Sequence, residues 1–215
     1  MSISGTNGEL EMRRAAAQAF TLIELMVVIG IIVILLSLAF PVFQGVLERA
    51  KKVQAKNDLT QIVTAVNAFY TEYGRYPVST TCTTTTDAYF GGGTIPSGAT
   101  SCGISDVLFN ELRAVGSYTI NTRQIVFISP PQDTTQANPK GKIGSDGQFH
   151  DPWASVYRIE IDADYNNQVT NPYGGSRGAG ADPIRQGLIA WSVGKDFTLG
   201  SGGKFTKSDD VISWQ

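Results

Sequence analysis

The hydrophobic residues of this chain follow two patterns, an unbroken run near the N-terminus and a one-sided stripe after it. From Leu25 to Phe40 sixteen consecutive residues carry no charge, and the run reaches about twenty-one residues when it is counted from Phe20. At about 1.5 Å per residue, a helix of this length crosses a bilayer core of roughly 30 Å. The pattern therefore predicts a membrane-spanning helix over residues 20–43.

The apolar residues beyond this run recur at three- and four-residue intervals, with charged residues between them. This spacing is typical of an amphipathic helix with one apolar face. The recurring apolar positions are Val46, Leu47, Ala50, Val53, Leu59, Ile62, Val63, Val66, Phe69, Tyr70 and Tyr73. Because Gly74 suits the position just after a helix and Pro77 prevents continuation, we predict a single helix from Phe20 to about Tyr73.

The remaining residues, from about 77 to 215, have the length of one modest domain. Thr80–Thr86 and the three glycines at 91–93 form a polar, flexible stretch without a core signal. Short β-branched and aromatic runs separated by Pro, Gly and Asn predict strands. The predicted elements are strands at 118–120, 124–128, 156–161 and 188–192, and a short helix at 106–113 capped by Ser105. A long helix packed on a small antiparallel sheet, an α+β architecture, is the fold class that these elements allow.

Composition and motifs argue against catalysis and against nucleic-acid binding. The formal net charge is −2, and no basic surface with interleaved aromatic residues is visible. The chain has no nucleophile elbow and no phosphate-binding loop, and its single histidine, His150, has no evident triad partners. Neither cysteine has a histidine nearby in the sequence, since His150 is the only one, so a thiol–histidine enzyme or a zinc site is not expected either. We therefore predict that the chain is not an enzyme.

One charged residue, Glu24, lies at the start of the apolar run. A carboxylate in hydrocarbon costs about 2.5–3.5 kcal/mol unless it finds a partner. Arg13 and Arg14 precede the run and favour a cytoplasmic location for that end. Two interpretations are a plain single-pass anchor and a secretory signal cleaved after the small-residue site at Ser37–Ala39. Neither explains why an acid stands so close to the start of the apolar segment.

The string Phe-Thr-Leu-Ile-Glu-Leu from Phe20 to Leu25 resembles the class III signal of type IV pilins and type II secretion pseudopilins. The resemblance implies that prepilin peptidase cuts between Ala19 and Phe20 and that the new amine of Phe20 is N-methylated. It also implies that Glu24 pairs with the N-terminal amine of a neighbouring subunit, which offsets the desolvation of both charges. At Ala19 the family usually has glycine.

Two more features agree with the resemblance. Pro41 is the twenty-second residue of the predicted mature chain, where these helices commonly carry a proline, and a proline inside a helix kinks it; a helix end at the membrane boundary is the alternative. Residues 73–77, Tyr-Gly-Arg-Tyr-Pro, resemble the turn that leaves the long helix in pseudopilins. Residues 1–11 carry no basic residue, so we expect translation to begin at Met12.

The predicted organisation has four parts. Residues 1–19 are a leader, residues 20–43 the transmembrane and assembly helix, residues 44–76 its amphipathic second half, and residues 77–215 a domain in the periplasm or outside the cell. In that location the two cysteines, Cys82 and Cys102, are expected to form a disulfide rather than to remain two unpaired thiols. Closing this loop would stabilise the fold by roughly 3 kcal/mol.

The C-terminal region carries a further likeness to the major pseudopilins. Trp191–Asp196 and Ser208–Trp214 resemble the segments that frame a bound calcium ion there, which implies Ca²⁺ held by Asp196, Asp209 and Asp210. Calcium prefers six to eight oxygen ligands; a solvated acidic turn is the alternative.

Two other segments of the domain resemble known motifs. Asp162–Gln168 opens like an EF-hand loop, but Asn167 and Tyr173 replace the expected Gly and Glu, so a polar turn is preferred. His150–Tyr157 resembles the Asp-Pro-Trp segment of the major pseudopilin, and its Trp153 is expected to be a core or lid aromatic. Ala154 stands in this segment where the family has glycine.

The resemblance implies a structural subunit of a type II secretion pseudopilus. Such a subunit forms a homopolymer, works with other pseudopilins and with the inner-membrane secretion platform, and contacts membrane lipid. It is expected to be a single-pass inner-membrane protein with a cytoplasmic N-terminus. A type IV pilin of a surface filament and a non-assembling, membrane-anchored binding domain are the alternatives.

Overall fold

The computed structural model describes residues 20–79, 82, 85–116 and 119–215, and within this part the side chains of residues 39–44 are not described. The chain divides between Val46 and Leu47 into two compact units. Its elements are the helices α1 (Leu22–Tyr73) and α2 (Asp106–Arg113), a 3-10 turn (Phe205–Lys207), and the strands β1 (Asp87–Phe90), β2 (Ala99–Ser101), β3 (Arg158–Ile161), β4 (Leu188–Ser192) and β5 (Val211–Ile212).

Helix α1 ends where the sequence predicts. Gly74 follows Tyr73 with a left-handed backbone (φ 66°), and its amide donates a hydrogen bond of 2.8 Å to the carbonyl of Tyr70. This is the αL arrangement that commonly closes helices. Met12 and Ala19 lie outside the described residues, and the kink at Pro41, within α1, stays a prediction. Over the described part of the chain, no helix combines the length and the apolarity needed to cross a membrane.

The five strands form one sheet in the order β2-β1-β3-β4-β5. All neighbours are antiparallel except the edge pair β1–β2, which is parallel. The fold class is therefore α+β as predicted, with a sheet that is mixed rather than purely antiparallel.

The sheet of the second unit is covered on both faces. Side chains alternate along each strand, so residues of one strand enter two different hydrophobic clusters. The face toward the helices packs against α2 and against one stripe of α1, formed by Ala55, Leu59, Ile62, Ala65, Val66 and Phe69. The opposite face carries Tyr89, Ile189, Trp191 and Ile212, and it is covered by the segment from Val169 to Ile184 and by Trp214.

Two strand predictions were wrong. Residues 119–120 and 124–128 form no strand, and Tyr118 of the first run lies outside the described part. The backbone amides of Thr119, Ile120 and Asn121 instead donate to the carboxylate of Glu111 on α2. Glu111 therefore supplies the hydrogen bonds that a neighbouring strand would have supplied.

Three strands were missed. The interior strand β1 lies between the two stretches that the sequence marks as flexible, and β2 and β5 have only three and two residues. The disulfide between Cys82 and Cys102 is confirmed, and it ties the segments that flank β1 and β2. Ser105 stands at the N-cap of α2 as predicted, but its side chain makes no capping hydrogen bond.

Candidate functional site

At its N-terminus α1 is closed by a reciprocal pair of residues. Glu24 accepts hydrogen bonds from the Thr21 amide (2.9 Å) and the Thr21 hydroxyl (2.6 Å), and the Glu24 amide donates to the Thr21 hydroxyl (3.3 Å). This is a capping box, in which two otherwise unpaired backbone donors are satisfied. Within one copy of the chain, Glu24 thus has a local partner that the sequence analysis did not foresee, although the Thr-x-x-Glu spacing signals it.

The first unit leaves its apolar surface uncovered. Every large apolar side chain from Phe20 to Leu38 is exposed, beginning with Phe20 at 79%. A contiguous apolar surface of this extent marks a site for protein or lipid contact in a monomer.

The three predicted calcium ligands lie together. Asp196, Asp209 and Asp210 each offer a carboxylate oxygen, and these oxygens all lie within 4.8 Å of one another. Asp196 also accepts a hydrogen bond from the Thr198 amide (2.9 Å), and Asp209 accepts one from the Lys195 amide (2.5 Å). The loop backbone therefore holds the first two carboxylates in place.

Asp210 is the buried member of this group. Its Oδ2 accepts from the Tyr173 hydroxyl (2.5 Å) and the Gly200 amide (2.8 Å), whereas its buried Oδ1 has no partner within the described residues. Burial raises the pKa of the Asp210 carboxyl against these two hydrogen bonds, and the nearby Asp209 and Asp196 raise it further. An oxygen-preferring cation would satisfy Oδ1 and offset the repulsion, so this donor set fits Ca²⁺.

A second acidic group was not predicted as a unit. Asp87 at the start of β1 and Asp162 and Asp164 after β3 also bring carboxylate oxygens within 4.8 Å of one another. Burial raises the pKa of Asp87 to about 6 and that of the neighbouring Glu160 to about 8. The sequence drew attention only to Asp162 and Asp164, because Asp87 is more than seventy residues away along the chain.

The Asp-Pro-Trp segment forms a structural turn. Asp151 is fully buried, and its carboxylate accepts from the amides of Trp153 and Ser155 and from the Ser192 hydroxyl. Trp153 is a buried core residue, as expected, and its indole nitrogen donates to Glu48 of α1 (2.9 Å). Ala154, where the family has glycine, is held at a φ of 77°.

Comparison with known proteins adds three findings. Residues 14–40 match the family model described as the prokaryotic N-terminal methylation motif. Over 59 residues the chain is 44% identical to the type IV major pilin protein PilA of Myxococcus xanthus, which covers 27% of each chain. Over 68 residues it is 35% identical to the type II secretion system core protein G of Klebsiella michiganensis, which covers 32% of this chain and 48% of that protein.

The chain thus spans about a quarter and about half of the lengths of these two relatives. No solved structure matches the chain.

Proposed function

We propose that this chain, a member of the type IV pilin and pseudopilin family, is the major structural subunit of a type II secretion pseudopilus. Prepilin peptidase cuts it between Ala19 and Phe20, Phe20 is N-methylated, and the mature chain polymerises through the first half of α1. The subunit is anchored once in the inner membrane, with its C-terminal domain in the periplasm. There it assembles with other pseudopilins and the secretion platform, and it performs no catalysis.

The observation that carries this proposal is the combination at the start of α1. A methylation motif leads into an uncovered apolar surface, and an acid stands at its beginning. Thr21 satisfies the hydrogen bonds of Glu24 but leaves its negative charge without a cation. The N-terminal amine of a neighbouring copy supplies that cation, and a wrong register would leave both charges unpaired in lipid. The pair therefore selects the register of the subunits.

In the second unit we propose that Asp196, Asp209 and Asp210 hold a structural Ca²⁺. Support comes from their convergence and from the unpartnered, buried oxygen of Asp210. The ion contributes positive charge that holds the C-terminal loop against the domain.

A type IV pilin of a surface filament is the second candidate. It is favoured by the higher identity to the type IV major pilin and by the long loop between Cys82 and Cys102. The Asp-Pro-Trp turn and the Asp-Asp-Val-Ile-Ser-Trp ending favour the secretion subunit. Neighbouring genes discriminate between the two, since a secretin and other pseudopilins accompany the first and a retraction ATPase accompanies the second.

Substitutions at Glu24 test the filament proposal, because the cap and the charge can be separated. Glutamine also completes a capping box, so Glu24→Gln keeps the helix start but removes the charge. We expect Glu24→Gln and Glu24→Ala to insert in the membrane and to lose assembly, measured as cross-linked multimers and sheared filaments. Thr21→Ala, which weakens the cap and keeps the charge, should retain assembly.

Intact mass of each membrane-extracted variant serves as the control, because it reports cleavage before Phe20 and the added methyl group. Full assembly of correctly processed Glu24→Gln would show that the charge has no role between copies. Absence of multimers from the correctly processed wild type would instead favour the non-assembling, membrane-anchored binding domain.

A further inference from the structure

We propose that Asp87 and Glu160 share one proton and that this pair acts as a pH-sensitive latch between the strands β1 and β3. The register of the sheet places the two residues together, because Tyr89 pairs with Glu160 and Asp87 stands two residues before Tyr89. Residues two apart on a strand lie on the same face, so Asp87 is the diagonal neighbour of Glu160 across the two strands. The proposal does not depend on the filament or on the calcium site.

The two carboxyl groups are buried and bonded to each other. Asp87 is only 8% exposed and Glu160 is fully buried. No N–H or hydroxyl group in the described part of the chain donates to Oδ1 of Asp87 or to Oε2 of Glu160, yet the two carboxyl groups are joined by a hydrogen bond. An ionised carboxylate can only accept, so this bond requires a proton on one of the two groups. Two adjacent buried carboxylates would repel each other without it.

Glu160 is the member of the pair that keeps the proton. Burial raises the pKa of Glu160 to about 8 and that of Asp87 to about 6. The hydrogen bond between them favours the protonated form of Glu160 and the ionised form of Asp87. Glu160 is therefore the donor, and the pair holds a single proton between about pH 6 and 8.

The charged groups around the pair are mostly acidic. Asp162 and Asp164 in the turn after β3, and Asp182 in the segment that covers the sheet, raise the pKa values of the pair beyond the effect of burial. Arg158 lies on the same face of β3, but it forms no salt bridge with either acid among the described residues. Burial raises the pKa of the neighbouring Tyr89 to about 12, so its hydroxyl stays neutral. The pair is thus neutralised by its proton and not by a cation.

The latch holds a flap of the sheet, defined as residues 82–102. The flap is closed by the disulfide and contains β1 and β2, of which only β1 pairs with β3. Glu160 reaches the flap directly at Asp87. It also accepts a hydrogen bond from the Thr170 amide (3.0 Å), and the Thr170 hydroxyl donates to the carbonyl of Ser97, between β1 and β2 (2.8 Å). Glu160 therefore connects β3 to two points of the flap.

Loss of the proton should loosen the flap. Opening the flap exposes both acids to water, where carboxyl pKa values are about 4, so the open form has already released the proton that the closed form keeps up to about pH 8. A difference of one bound proton changes the equilibrium between the two forms about tenfold per pH unit. The closed flap therefore loses stability as the pH rises from about 4 to about 8, and the loss levels off above that value.

Hydrogen exchange of the full-length protein in detergent, followed by mass spectrometry at about pH 6 and about pH 8, tests the proposal. Rates are corrected for the intrinsic effect of pH. The peptide that covers β1 should exchange faster than the buried stripe of α1 at both values, because the flap opens by itself. Its corrected rate should rise at least about tenfold between them. The proposal is overturned if β1 exchanges no faster than α1, or if its corrected rate does not change with pH.

Glu160→Gln imitates the protonated acid, because its amide can donate to Asp87 and accept from Thr170 at every pH. Its β1 peptide should exchange at the same corrected rate at both pH values. Asp182→Asn is the matched control, since it removes a neighbouring acid but leaves the pair intact, and it should keep the pH response. A full response in Glu160→Gln, or none in Asp182→Asn, would overturn the proposal.

Near-ultraviolet circular dichroism establishes that each variant is folded. Infrared spectra of the wild type give a second measurement that decides the question should Glu160→Gln fail to fold. The carbonyl band of a protonated carboxyl group should be present at neutral pH and should disappear as the pH rises through about 8. A spectrum without that band at neutral pH would show that the pair holds no proton, which overturns the latch.

Discussion

The first half of α1 exposes its apolar side chains on every side over the described positions up to Leu38, whereas the second half, from Leu47, buries one stripe against the sheet and α2. Both halves have the same backbone conformation. They differ in where their apolar surface finds a partner, since the chain itself covers only the second half. Stability therefore resides in the second unit, and the exposed apolar surface of the first unit is suited to contacts with other molecules.

Truncating a large side chain in each half of α1 should show the difference in stability between the two halves most strongly. Phe69→Ala removes a fully buried ring and should lower the free energy of unfolding by about 3–5 kcal/mol. Val27→Ala, in the exposed half, should change it by less than about 0.5 kcal/mol. Urea unfolding of the full-length protein in detergent measures both. Equal losses from the two variants would contradict the assignment of stability to the second unit.

Calcium removal should act on the second unit alone. A site with free Ca²⁺ at a hundred times its dissociation constant adds about 2.7 kcal/mol to the stability of the fold. A chelator should therefore lower the melting temperature of the wild type, and Asp196→Ala should abolish that response. A melting temperature that does not change when the chelator is added would contradict the proposed Ca²⁺ site in the C-terminal loop.

A polar contact inside the buried half sharpens the comparison. The Tyr157 hydroxyl donates to Asp58 of α1 (2.9 Å), and burial raises the pKa of the Asp58 carboxyl above its usual range. Asp58→Ala should cost about 1–3 kcal/mol, because it leaves the buried hydroxyl unpaired. Asp58→Asn keeps an acceptor and removes a buried charge, so it should be at least as stable as the wild type at neutral pH.

The pH dependence of this pair follows from the raised pKa. The protonated carboxyl is favoured in the folded state, so the wild type loses stability as the pH rises above the unfolded value of about 3.9. The advantage of Asp58→Asn should accordingly grow from pH 4 toward neutrality, as measured by thermal melts. A constant difference over this range would mean that Asp58 does not titrate as burial requires.

The smallest effect is expected at Ala154. Its φ of 77° is unfavourable for a residue with a side chain, so Ala154→Gly should stabilise the domain by about 1 kcal/mol. Ala137→Gly is a suitable comparison, because Ala137 is not among the residues with positive φ. It should leave stability unchanged or lower it. Thermal melts that rank the two variants the other way would contradict the strain at Ala154.

Local signals in the sequence were enough for the helices and for two strands, β4 and β3, the latter predicted to begin two residues before its observed start at Arg158. The bounds of β4 and the end of α1 at Tyr73 were predicted correctly, because an alternating apolar run and a Gly-x-x-Pro segment are local signals. The runs at 119–120 and 124–128 have strand-forming residues, yet Glu111 takes the amides of the first run. Whether these amides pair with a strand or with the Glu111 carboxylate is decided by tertiary structure, and no pattern in the local sequence signals the outcome.

The candidate sites also differ in whether a local sequence signal marks them. Glu24 and the Asp196, Asp209 and Asp210 set were found because family motifs surround them. The acidic group of Asp87, Asp162 and Asp164 was missed because its residues come from distant segments and because β1 lies between Thr- and Gly-rich stretches. Only the pairing of β1 with β3 brings these carboxylates together.

The central claim is that Glu24 of one copy meets the N-terminal amine of another. Filaments assembled from two pools of protein, one with ¹⁵N at the Phe20 amine and one with ¹³C at the Glu24 carboxylate, allow solid-state NMR to test it directly. The account predicts a through-space ¹⁵N–¹³C coupling between copies. Intact filaments from the mixed pools that show no such coupling would contradict it.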